Sequence, residues 1–247
     1  MSAPTYVTSF MLLSSIGIVA AVVAGLGVAV GRADWEQSQR AATLRTAAVL
    51  LVLWFAAAVA LSYAGAFRGT PSSAPTIEFG IFVPIIAGVV WLWRSAEAKR
   101  LLDAVPQSWL VGLQVYRVLG AIFLLMYAQG RMPAAFALPA GAGDVAVGLL
   151  APIVAVAYAR GVAGREFWVV GWNLLGLFDL ANAITTGFLT SPSPLQLLSL
   201  DAPNQLISEF PLVLVPVFGV PLGVLLHVAS LVKLRRDAVH RPVHKGA

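Results

Sequence analysis

The chain has 247 residues, of which 59% are hydrophobic and only 11% charged. Soluble domains run at about 45–50% and about 25%. So few charges cannot cover a water-soluble body of this size, which excludes a soluble enzyme, a disordered chain and a coiled coil and leaves lipid as the other solvent. Cysteine is absent, so disulfides, thiol nucleophiles and thiolate metal sites are excluded. Two of the three histidines, His240 and His244, lie in the polar tail. A haem held by two intramembrane histidines is therefore not expected, and neither a cofactor nor a metal is predicted.

About twenty consecutive apolar residues cross roughly 30 Å of hydrocarbon. Stretches of that kind predict seven transmembrane helices, at 8–30, 46–66, 78–94, 107–128, 134–158, 166–188 and 208–232, followed by a basic tail over 233–247. The expected fold class is an all-α integral membrane protein forming one seven-helix domain over 1–247. No Lys or Arg precedes the first span, since the first is Arg32, so that span lacks the basic region of a cleaved signal peptide and reads as a retained helix.

The net charge of +5 resembles a nucleic-acid signal only until it is mapped. One side of the predicted bundle holds Arg32, Arg40, Arg45, Arg94, Lys99, Arg100, Arg160, Arg165, Lys233, Arg235, Arg236, Arg241 and Lys245, and the other only Arg68 and Arg131. The positive-inside rule then predicts the N-terminus outside and the C-terminus in the cytoplasm. The expected location is a plasma (inner) membrane of bacterial type, with membrane lipids as neighbours and no nucleic acid as partner. The tail reads as the last cytoplasmic anchor.

Two segments echo each other. Residues 74–84 (APTIEFGIFVP) enter the third span, and 202–216 (APNQLISEFPLVLVP) enter the seventh. Duplication of spans one to three as five to seven, with span four as a linker, would give a 3 + 1 + 3 plan of parallel repeats, one of the plans membrane transporters use.

An ionisable side chain at the bilayer centre costs about 2.5–3.5 kcal/mol on insertion scales, so each one needs a reason. Arg117, Asp144 and Asp179 all fall near the middle of predicted spans, with Asn182 one turn beyond Asp179 and Gln114 one turn before Arg117. An Arg117–Asp144 ion pair between neighbouring antiparallel spans is expected. One arginine with two ionised carboxylates carries a charge of −1, so the five residues form a candidate ligand- or proton-binding site. The competing reading is a structural clasp that sets helix register. The run Pro139, Gly141, Gly143 before Asp144 invites a broken helix lining a cavity, while close helix packing accounts for the same small residues. Glu78, Glu209, Arg131 and His227 fall near span ends and are candidate pathway mouths, with Arg131 a partner for Glu209 or Glu78. The loop 189–207 is long enough to cap the bundle or lie in the interface.

These features favour binding and transport of an unidentified small solute, coupled to protons. The lysines are Lys99, Lys233 and Lys245, none deep in a span, so a retinal-type Schiff base is not expected. Two other readings stand beside transport: a non-catalytic subunit or sensor that works with a membrane-protein partner or as a homo-oligomer, and an intramembrane enzyme.

Overall fold

A computed structural model describes residues 4–70, 72 and 76–239. The described residues form helices and turns without strands. Helix α1 (Thr5–Arg32) is followed by α2 (Gln37–Tyr63), α3 (Ile77–Arg94) and the short α4 (Ala96–Ala104). The next span is composite: α5 (Gln107–Gly112), a 3-10 stretch (Leu113–Gly120) and α6 (Ala121–Ala128). Helices α7 (Ala134–Ala159) and α8 (Arg165–Thr190) are continuous, and a π-helical turn (Val215–Gly219) leads into α9 (Val220–Val239). Seven of these segments are long and apolar enough to cross a membrane.

The helices alternate in direction. At one end, the loop end, Tyr6 meets Gln129 and Arg68 meets Glu209. At the other, the basic end, the Arg32 guanidinium lies over Trp109, Arg100 over Trp35, and Arg236 pairs with Asp103. The turn between α6 and α7 closes through Gly130, at φ 66°. This left-handed position lets the Gly130 and Arg131 amides return to the Tyr127 and Met126 carbonyls. Helix α4 was not evident as a helix in the sequence. The Ser95 hydroxyl accepts from the Ala98 amide at its start, and Ala98 and Leu102 are buried against the bundle.

Helix α7 packs along both α8 and the composite span, while α9 packs on α8, α5 and α3. Helix α2 lies at the periphery against α1. The break expected in the fifth span is not there: α7 runs unbroken through Pro139 and Pro152. Its glycines bring helices together instead. A Cβ on Gly141 would meet Leu124 at 2.8 Å, and one on Gly148 would meet the Val118 amide nitrogen at 2.7 Å. Small residues that let backbones approach this closely are a main source of helix association in lipid.

The seventh span begins at 215 rather than 208. Pro211 has no amide to give a helix and restrains the residue before it, whereas Pro216 fits a first helical turn. Residues 191–214 fold back over the loop end. The Leu197 and Leu198 amides donate to Leu189, that of Asn204 to Thr190, and Leu206, Ile207, Leu212, Val213 and Leu214 are buried. The two Glu-Phe pairs of the sequence echo sit differently: Glu78 opens α3, while Glu209 precedes the helical part of its span. Ala74, Pro75 and the tail residues His240, Arg241, His244 and Lys245 lie outside the described residues.

Candidate functional site

Four segments each deliver one side chain to the middle of the bundle. Arg117 sits on the 3-10 stretch, Asp144 on α7, Asp179 on α8 and His227 on α9, all buried. The side-chain exposures are 2% for Arg117, 12% for Asp144 and 9% for Asp179, which puts the carboxylates at the edge of the bundle's internal space rather than in solvent. The Arg117 Nε donates to Asp144 Oδ1 at 2.8 Å, and Nη2 forms an ion pair with the same oxygen at 2.8 Å. Nη2 also donates to Asp179 Oδ2. Nη1 donates to the Gly176 carbonyl at 3.3 Å and to His227 Nε2 at 3.2 Å.

The network continues toward the basic end. An arginine can only donate, so His227 Nε2 accepts and the imidazole is the neutral tautomer with its proton on Nδ1. That Nδ1–H donates to Asn173 Oδ1 at 2.8 Å. Asn173 Nδ2 donates in turn to the Val169 carbonyl and to Ser230 Oγ, both at 2.8 Å, and Ser230 Oγ also accepts from Gln107 at 2.6 Å. The Trp172 ring lies 4.9 Å from that of His227 and anchors itself through Nε1 to the Val147 carbonyl.

Three glycines make room for this cluster. A Cβ on Gly120 would lie 2.5 Å from Asp144 Oδ2. One on Gly143 would overlap the Asp179 carboxylate, and one on Gly176 the His227 imidazole. Asp144, Asp179 and His227 are therefore each seated over a missing methyl on a neighbouring segment.

Two cavities reach Asp144. The larger, about 60 Å³, has Phe123, Phe136, Phe188, Leu180 and Ile184 among its walls and extends to Pro192 and Ser193 at the loop end. The second, about 50 Å³, lies beside α1 and is bounded by Ser15, Tyr116, Arg117 and Phe218. At about 10–15 Å³ per water, each has room for a few water-sized groups.

Arg117, Asp144 and Asp179 thus come together. Gln114 is fully buried but turns to α9, donating to the Gly223 carbonyl at 3.0 Å. Asn182 is half-buried and its side chain makes no hydrogen bond to the cluster; its backbone carbonyl accepts from Thr186. His227 is not at a mouth: with its span running Val215–Val239 it is central and touches Arg117. Glu209 pairs with Arg68 at 2.9 Å on the loop end, and Glu78 lies half-buried in the first turn of α3. Arg131 lies in the Gly130 turn at that same end. Asn173, Ser230 and Gln107 were missed. Asn173 precedes Asp179 by six residues with Gly176 between, a three-residue spacing that puts all three on one stripe of α8.

Fold and site together define an all-helical bundle with seven helices long and apolar enough to cross a membrane, built around a buried charged cluster. Residues 74–235 match a family described as a domain of unknown function (DUF8737), and the chain belongs to that family. The matched region contains Arg117, Asp144, Asp179, Asn173 and His227, and leaves α1 and α2 outside. No curated protein and no solved structure matches the chain.

Proposed function

We propose that this protein is a secondary carrier of a plasma (inner) membrane, in which the Arg117–Asp144–Asp179 cluster binds a proton and couples its release to movement of a small solute. In the orientation we propose, the loop end faces outward and the basic end the cytoplasm, as the distribution of Lys and Arg favours. The observation that carries the reading is one guanidinium held between two buried carboxylates, one of which, Asp144, borders both cavities. With both carboxylates ionised the group carries −1, and one proton makes it neutral. A neutral cluster is the cheaper form within hydrocarbon.

Asp144 is the proton-accepting residue. Its Oδ1 takes the Nε bond and the Nη2 ion pair from Arg117, and Oδ2, over Gly120, is the oxygen that carries the proton. Access from the two ends is unequal, which supports alternating access. The larger cavity runs from Asp144 to the loop end. On the other side His227, Asn173, Ser230 and Gln107 form a hydrogen-bonded plug. Neither a guanidinium nor a carboxamide relays protons readily, so the plug closes that side until the helices shift.

The test is proton flux across liposomes holding the purified protein and a pH-sensitive dye, driven by imposed gradients of small cationic and neutral solutes offered in turn. Asp144→Asn is expected to abolish the flux while leaving membrane insertion intact. Flux equal to the unaltered protein's would remove Asp144 from the mechanism.

A further inference from the structure

We infer that the larger cavity binds a small lipophilic ammonium ion, which exchanges for the proton on Asp144. This rests on the proton-binding reading above and adds the class of solute. Asp144 is the one ionisable side chain among the residues lining that cavity; Arg117 borders only the second. An anion entering from the loop end would meet a carboxylate with no cation beside it on that wall. A sugar or other polyol would leave most of its hydroxyls unpaired, because besides Asp144 the polar side chains on offer among the described residues are Ser191, Ser193 and Ser208.

A cation with an apolar body meets none of these costs. Its charge supplies the positive unit that the cluster, with one arginine and two carboxylates, lacks. Its alkyl part lies against Leu180 and Ile184, and Phe123, Phe136 and Phe188 are among the lining residues, aromatic rings of the kind whose faces attract a cation. The volume of about 60 Å³ admits about four to six water-sized groups at about 10–15 Å³ each, a range that includes the five heavy atoms of n-butylammonium.

The exchange balances as written. The protonated carboxyl of Asp144 releases its proton to water at the loop end, and the ammonium enters as a preformed cation to pair with the carboxylate left behind. No bond other than O–H is broken. The groups facing Asp144 are Arg117 from the composite span and, through that arginine, Asp179 of α8 and His227 of α9. Tyr116, the neighbour of Arg117, gives its hydroxyl to the Gly219 carbonyl.

The experiment is titration calorimetry of the full-length protein in lipid nanodiscs with n-butylammonium, run in two buffers of different ionisation enthalpy so that proton release is counted. 1-Butanol serves as the uncharged counterpart. Carboxyl C=O infrared absorption of the same samples reports the protonated aspartate independently. Saturable binding is expected, with about one proton released per cation and at least tenfold weaker binding of 1-butanol. Asp144→Asn is expected to weaken cation binding at least tenfold and to abolish proton release. Ala183→Phe, which fills the cavity and leaves every charged residue in place, is expected to weaken binding as much, and serves if the aspartate variant does not fold. Equal binding of 1-butanol, or tight binding retained in both variants, overturns the proposal. Absence of saturable cation binding alongside a persistent protonated-carboxyl band overturns the ammonium assignment and leaves the proton site standing. Absence of both band and flux removes the carrier reading as well.

Discussion

The bundle is built differently on the two sides of Arg117. Toward the loop end the interior is apolar and incompletely filled, with two cavities meeting at Asp144. Toward the basic end it is polar and closed, with His227, Asn173, Ser230 and Gln107 joined in sequence and Lys233 and Arg236 reaching Asp103. The contrast shows how one buried cation can serve two tasks. Its Nε and Nη2 hold the two carboxylates, of which Asp144 borders open space, and its Nη1 holds the imidazole that begins the plug. The carrier proposed above needs that asymmetry at any moment: one side open to the site, the other sealed.

The largest expected effect comes from removing the group the two sides share. Arg117→Leu leaves two carboxylates buried together, and breaking a buried pair in this way costs about 3–5 kcal/mol. Unfolding in mixed detergent micelles measures the loss, and Asp144→Asn in the same background is expected to recover part of it. Strict additivity of the two changes would mean that the pair contributes no coupling. Next, Gly143→Ala drives a methyl into the Asp179 carboxylate and is expected to cost about 1–3 kcal/mol, as overpacking does. A neutral outcome would show that α7 and α8 can part without disturbing the cluster. On the basic side, Asn173→Leu strips partners from His227 and Ser230. Interhelical hydrogen bonds in bilayers are worth about 0.6 kcal/mol on average and at most about 1.7, so the stability loss should be modest while proton leak through the loosened plug rises. An unchanged leak would break the contrast between the sides. The smallest effect is expected for Arg68→Ala at the loop end, where the arginine side chain is 60% exposed and the ion pair with Glu209 is worth at most about 1 kcal/mol.

The number of spans was legible because the length of an apolar run is a direct physical requirement of the bilayer. The depth of Arg117, Asp144 and Asp179 followed from counting along those spans. His227 was misplaced because the apolar run 208–214 was read as helix, whereas those residues are buried in turns and the span starts at 215. Seven residues of offset move a side chain from an interface to the centre. Nothing in LQVYRVLG warned of a 3-10 stretch, since it has no proline and its glycine comes last. The LPAGAGD run was ambiguous for a related reason: glycine permits both an unwound helix and a tight interface, and only the neighbour decides. Here the neighbours are Leu124 and the Asp179 carboxylate, so the helix stays whole. Asn182 was included by its spacing from Asp179, but the cluster occupies the stripe that runs the other way, through Gly176 to Asn173.

The seating of Arg117 also bears on how the protein is made. The ribosome delivers this arginine before its partners: Asp144 comes 27 residues later, Asp179 62 and His227 110. Alone at the centre of a bilayer it costs about 2.5–3.5 kcal/mol on insertion scales. In a bilayer the Gly130 turn would relieve that cost, because it folds the composite span and α7 into a hairpin that brings Arg117 and Asp144 together. Stable insertion of the composite span is therefore tied to synthesis of the helix after it, and a nascent chain halted at the hairpin turn has not yet acquired the charge that lets its fourth segment settle in lipid.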